Sequence, residues 1–196
     1  MVGVNGKRPP IVASERLLGA QLCFTRGSVG FKDVAVRHEQ AREVCERIET
    51  LPLPLEAKAS LVESTVIPKS LYDPCVTTMS KETMKSWGTR VCRTVWGSGR
   101  PTRCQELVLT LFSRGHACDP AQAKVCRTMQ STLRMLRRYD DQRLLFEANL
   151  HLRKTQRVHH GPTAQFLAAL DACGWSYSAS ENCVILPGGD RHAVET

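Results

Sequence analysis

Nowhere does the 196-residue chain carry a C-x-x-C pair or a close Cys/His knuckle, which excludes the usual zinc frameworks. Its nine cysteines are odd in number, irregularly spaced and often set in apolar helical faces, so they read as reduced thiols and not as a disulfide scaffold. No long apolar run exists. The N-terminal MVGVNGKRPPIV has no such run and brings charge and two prolines early, so it resembles neither a secretory signal nor a membrane span. An intracellular protein, nuclear or cytoplasmic and without a membrane partner, is expected. Internal repeats and low-complexity segments are absent. So are a Walker loop, a Rossmann glycine fingerprint and a G-x-S-x-G elbow, and aromatic residues amount to only 6%.

What is present is ordinary globular material, 42% hydrophobic and 23% charged, in a chain long enough to bury a core. The formal net charge of +8 and pI near 9.2 point toward a polyanionic partner without naming one. Hydrophobic periodicity predicts a mainly α protein: a helical bundle with a short β-ribbon at the N-terminus and a small β-hairpin at the C-terminus. Three regions are expected. Residues 1–30 read as a strand pair, and 31–160 as consecutive helices. Residues 161–196 read as a last helix, a hairpin over Trp175 to Leu186 and a frayed tail.

The organising stretch is Arg47 to Tyr72. Val34, Ala41, Val44, Cys45, Ile48 and Leu51 form one helical stripe, and Pro52 and Pro54 stop it in a rigid elbow. A second helix with Leu55, Ala59, Val62, Val66 and Ile67 follows at once, and Pro68 bends or ends it. Ser80 caps a third helix on Met84, Trp87, Val91 and Val95, stopped by Gly97. A fourth carries Leu107, Val108, Leu111 and Phe112, with Gly115 as its expected left-handed terminator. Asp119-Pro120 opens a fifth, which runs through Ala123, Cys126, Met129, Leu133 and Leu136 to a break at Tyr139-Asp140-Asp141.

The helix, Leu-Pro-Leu and helix ending in Val-Ile-Pro-Lys-Ser-Leu-Tyr resemble the segment after the catalytic palm of non-LTR (LINE-type) retrotransposon reverse transcriptases. Leu17, Leu18 and Gly19, within ERLLGAQLCF, resemble the Leu-Gly strand of that family's primer grip. VCRTVW from Val91 and ELVLTLFSRGHACDPAQA from Glu106 resemble its helical thumb and the segment beyond. The resemblance spans about Glu15 to Trp175. It implies a fragment of an RNA-directed DNA polymerase whose helices clasp template and primer. In that family the palm holds Mg²⁺; no cofactor is expected in this chain, and the missing palm and fingers are its implied polypeptide partner. An initiator methionine followed directly by loop and strand suggests a reading frame that begins inside a larger fold.

The palm's signature is a Tyr-x-Asp-Asp hairpin between apolar strands. Tyr139-Asp140-Asp141 lacks the spacer, sits between helical flanks and lies downstream of the thumb-like region, so it reads as a solvated helix junction. No other constellation supplies the converging carboxylates of two-metal phosphoryl transfer. The chain alone is therefore not expected to polymerise.

The basic residues carry the remaining argument. Arg127, Arg134, Arg137 and Arg138 on the fifth helix, with Arg90 and Arg93 on the third, are the candidate nucleic-acid-binding residues for an RNA–DNA hybrid or duplex. Arg37, Arg42 and Arg47 on the first helix are balanced by Glu39, Glu43, Glu46 and Glu49 and read as a solvated face. Asp119 reads as a helix cap, His116, His151, His159 and His160 as surface residues, and Trp87 and Trp96 as core. The alternative is a helical protein-interaction module, or a decayed element product, with no nucleic-acid activity.

Overall fold

A computed structural model describes residues 14–17, 20–23, 32–72, 79–98, 104–111, 115–156, 161–178, 180–181 and 183–193. The chain is mainly helical. An N-terminal ribbon pairs β1 (Ser14–Leu17) with β2 (Ala20–Cys23) antiparallel, Leu17 opposite Ala20. Leu18 and Gly19 of the primer-grip-like triplet lie outside the described residues, as do Ile11, Val12 and Phe24.

Helix α1 (Lys32–Thr50) buries Ala41, Cys45 and Ile48, the stripe expected from the sequence, whereas Leu51 at its end is 40% exposed. The proline elbow follows. Helix α2 (Leu55–Leu61) then passes through a π-turn (Val62–Val66) into α3 (Ile67–Ser70). Pro68 does not end the helix at its own position: the turn before it widens and α3 runs on to Ser70. Proline has no N–H for the ladder and its ring crowds the carbonyl four residues back; widening the ladder so that the Ile67 N–H donates to the Val62 carbonyl relieves both. The hydroxyls of Ser64 and Thr65 donate to the carbonyls of Ser60 and Leu61, which further loosens this turn. Lys58 is tied across the elbow, its Nζ donating to the Glu49 carbonyl at 2.9 Å near the end of α1.

Helix α4 (Lys81–Trp96) begins where Ser80 Oγ accepts from the Thr83 N–H and ends at Gly97, whose φ of +101° suits glycine. Helix α5 (Gln105–Leu111) buries Val108 and Leu109 and leaves Leu107 56% exposed, one step round from the stripe expected. Gly115 is not a terminator. It opens the short α6 (Gly115–Cys118), which packs against α5 and α7, and Cys118 Sγ donates to the Ala59 carbonyl at 3.2 Å. Asp119 caps α7 (Pro120–Arg138) by accepting from the Ala121 N–H at 2.9 Å, as its Asp-Pro signature predicts. Helix α8 (Asp140–Gln156) restarts after Tyr139, and α9 (Pro162–Ala172) closes the helical part.

The C-terminal sheet is an antiparallel meander of β3 (Ser176–Ser178), β4 (Cys183–Ile185) and β5 (Arg191–Ala193). The hairpin is the one expected; a third strand occupies Arg191–Ala193 of the expected frayed tail, whose residues 194–196 lie outside the described ones. Gly189, at φ +88°, makes the turn, and Arg191 pairs with Glu181 at 2.6 Å across the sheet's open end.

Two hydrophobic clusters hold these elements. The first gathers Cys45, Val62, Val66, Ile67, Trp87, Val91, Val95 and Leu109 from α1 to α5, together with Cys118 and Ala123. The second gathers Met129 and Leu136 of α7, Phe146 of α8, Phe166 and Leu170 of α9, and Val184 of β4. Helix α7 contributes to both. The region boundary expected at residue 160 falls within the second cluster.

Candidate nucleic-acid interface

Helix α7 has 19 residues, among them Lys124, Arg127, Arg134, Arg137 and Arg138, and no carboxylate. Ala123, four residues before Arg127 and so on the same side, is buried in the first core; beyond it the inward edge is fixed by the buried Met129, Thr132 and Leu136. That edge sets the other. Arg127, Arg134 and Arg138 recur at seven and four residues, which aligns them on the opposite side, with Gln130 and Ser131 exposed between them and Arg137 at the flank. Arg134, Arg137 and Arg138 are exposed and Arg127 is half-buried. Arg134 has no ion-pair partner among the described residues. Arg138 lies over the Tyr139 ring at 5.6 Å, at the C-terminal end of the helix where the dipole favours cations. Lys124 is half-buried, and burial pulls its ammonium below the ordinary lysine value.

The candidates on α4 are placed differently. Arg90 donates to Glu46 at 2.8 Å and Arg93 to Glu49 at 3.3 Å, so both span from α4 to α1. Their charge is already engaged. On α1, Arg42 pairs with Glu39 at 3.3 Å, in keeping with a balanced face, and Arg37 lies over the Tyr72 ring at 5.1 Å. Between α1 and α4 runs a groove of about 800 Å³, with Trp87 and His38 among its lining residues and Arg42, Arg90, Arg93 and Glu39 beside them. The groove mixes both signs of charge, whereas α7 presents one.

His38 is a residue that sequence reading passed over. Its ring meets Trp87 edge-on at 5.4 Å, and burial, with the Arg37 charge beside it, holds its pKa below the ordinary histidine value against a hydrogen bond to the Ser70 backbone. The signal was available in principle, since His38 lies three residues before Ala41 on the buried edge of α1.

Tyr139, Asp140 and Asp141 form the α7–α8 junction. Tyr139 is 52% exposed, and its carbonyl accepts from the N–H groups of Gln142 and Arg143, so the triplet links two helices as expected. Among the described residues no three His, Cys, Asp or Glu side chains gather as a metal site, and no helix is long and apolar enough to cross a membrane. The side chains of His116, His151, His159 and His160 lie outside the described ones. Trp87 is buried in the first core, and Trp175 packs beside the second. No protein-family model, curated protein or solved structure matches this chain.

Proposed function

We propose that the chain is the primer-grip, thumb and following region of a non-LTR reverse transcriptase, separate from fingers and palm, and that α7 grips an RNA–DNA hybrid or duplex by its phosphates. The reading rests on the motif resemblance and on one structural observation. Helix α7 is anchored in the first core by Ala123 and in the second by Met129 and Leu136, exposes Arg134, Arg137 and Arg138, and has no carboxylate along its length. Arginine at such spacing neutralises phosphates and displaces condensed counterions, a grip that holds any sequence. From Arg127 to Arg138 the stripe covers roughly 16 Å at 1.5 Å per residue, about half a turn of duplex. Chemistry in the family belongs to the palm; this chain's part is to hold.

Fluorescence anisotropy with a labelled RNA–DNA hybrid tests the reading. Joint reversal of Arg134, Arg137 and Arg138 to Glu is expected to weaken binding at least about tenfold at low salt. Reversal of Arg90 and Arg93 serves as the control that probes the α1–α4 face. Equal loss from both variants, or none from the first, would contradict the assignment to α7.

A second reading, a helical interaction module, is favoured by a different observation: Leu144 and Leu145 of α8 are 63% and 57% exposed.

A further inference from the structure

Among the described phenylalanine, tyrosine and tryptophan side chains, Tyr72 and Tyr139 are the exposed ones, at 45% and 52%. Their surroundings differ. Tyr72 lies beneath Arg37 of α1, a helix that balances its arginines with glutamates. Tyr139 closes α7 directly after the exposed Arg137 and Arg138, and the Arg138 guanidinium lies over its ring at 5.6 Å. The backbone of Tyr139 is held from both sides: its N–H donates to the Met135 carbonyl at 3.1 Å, and its carbonyl accepts from the N–H groups of Gln142 and Arg143 in α8. With φ −134° and ψ 106° the residue is extended between two helices, so the ring is carried on a fixed point. Cationic charge stops there. Asp140 and Asp141 open α8 immediately afterwards, so the phosphate-holding stretch ends at Arg138 and the surface offered at its end is an uncharged ring.

We propose that Tyr139 stacks on an unpaired base of the strand that α7 holds, so that the preferred ligand is a hybrid with a single-stranded end and not a blunt one. This inference rests on the reading of α7 as a phosphate-gripping helix and adds to it the recognition of a strand end. Stacking asks for an accessible aromatic ring and a cation close by to take the adjoining phosphate, and Tyr139 with Arg138 supplies both. Every base has a π-face, so the contact adds affinity without reading sequence. Inside the duplex each base is already stacked between its neighbours. An unpaired base at the junction is free to lie against the ring, which makes the contact selective for the end.

Fluorescence anisotropy of the full chain at low salt tests this with three labelled RNA–DNA hybrids: one blunt, one with an overhang of about three nucleotides at the 5′ or the 3′ end, and one whose overhang is abasic sugar-phosphate. The abasic overhang adds the same phosphates without the bases. Wild type is expected to bind at least one base-bearing overhang about fivefold or more tighter than its abasic counterpart. Tyr139→Leu is expected to abolish that difference, and Tyr139→Phe and Tyr139→Trp to keep it, all with an unchanged melting temperature because the ring is exposed. Equal affinity of wild type for base-bearing and abasic overhangs, a measurement that needs no variant to fold, would overturn the proposal while leaving the α7 grip in place. A difference that survives in Tyr139→Leu, or is lost in Tyr139→Phe as well, would overturn it in the same way. A wild type that binds none of the hybrids would overturn the reading of α7 itself, and the stacking contact with it.

Discussion

His38 ties acid sensitivity to one contact between α1 and α4. Its pKa is lowered in the folded chain, so below the ordinary value of 6.5 the unfolded chain binds the proton more readily. The stability this residue confers is fully present above 6.5 and is lost as pH falls from there toward the depressed folded value. Thermal melts between about pH 5 and 7 are expected to show wild type losing more melting temperature on acidification than His38→Gln. Parallel curves would contradict the burial argument. Arg90 provides a second case. Its side chain is 21% exposed and pairs with the more open Glu46, so Glu46→Gln leaves a part-buried guanidinium short of its partner and is expected to cost about 1 kcal/mol in urea unfolding. Neither partnership was legible in the sequence. Arg90 and Glu46 are 44 residues apart, and only the packing of α4 against α1 brings them together.

Helix α7 was the most legible of the elements because local and tertiary signals agree there. The Asp-Pro start sets a cap and a first-turn proline, and Met129 and Leu136 keep helical period into the second core, whereas Cys126, expected on the same stripe, is exposed and Ala123 enters the first core. Asp119→Ala is expected to lower stability by about 1 kcal/mol, measured by chemical denaturation, through loss of the bond to the Ala121 N–H. A change close to zero would show the cap to be replaceable by water. Other elements were less readable for identifiable reasons. Pro68 signals a disturbance, but whether a helix stops or widens depends on what the next turn can bury, and Ile67, Ser70 and Leu71 are buried. Gly115 is as free to open a turn of helix as to close one. β5 carries an exposed Arg191-His192-Ala193, so no hydrophobic alternation announced it; its place comes from pairing with β4 and from the Glu181 bridge.

At the scale of the whole molecule, α7 is the shared wall of two cores. The second core depends on aromatic packing: Phe166 is fully buried and meets Phe146 edge-on at 5.6 Å and Tyr177 at 6.1 Å. Phe166→Ala is expected to cost about 3–5 kcal/mol in denaturant unfolding and to loosen α7 along with α9 and the sheet. The helical class and the small terminal strands followed from period and turn residues. The sharing of α7 did not, since which side of a helix meets which neighbour is decided by contacts distant in sequence. Likewise the net charge of +8 suggested a polyanion but not a surface. Arg90 and Arg93 pair with Glu46 and Glu49 of α1, whereas Arg134 of α7 is exposed and has no ion-pair partner among the described residues.

The most direct test of the central claim is the salt dependence of hybrid binding by the full chain. Plotted as log affinity against log salt, the wild type is expected to give a steep negative slope, and the Arg134, Arg137 and Arg138 reversal to reduce its magnitude by about two to three, close to one for each phosphate no longer neutralised. An identical slope in wild type and variant would mean that α7 holds no phosphates, and the assignment of this face would fail.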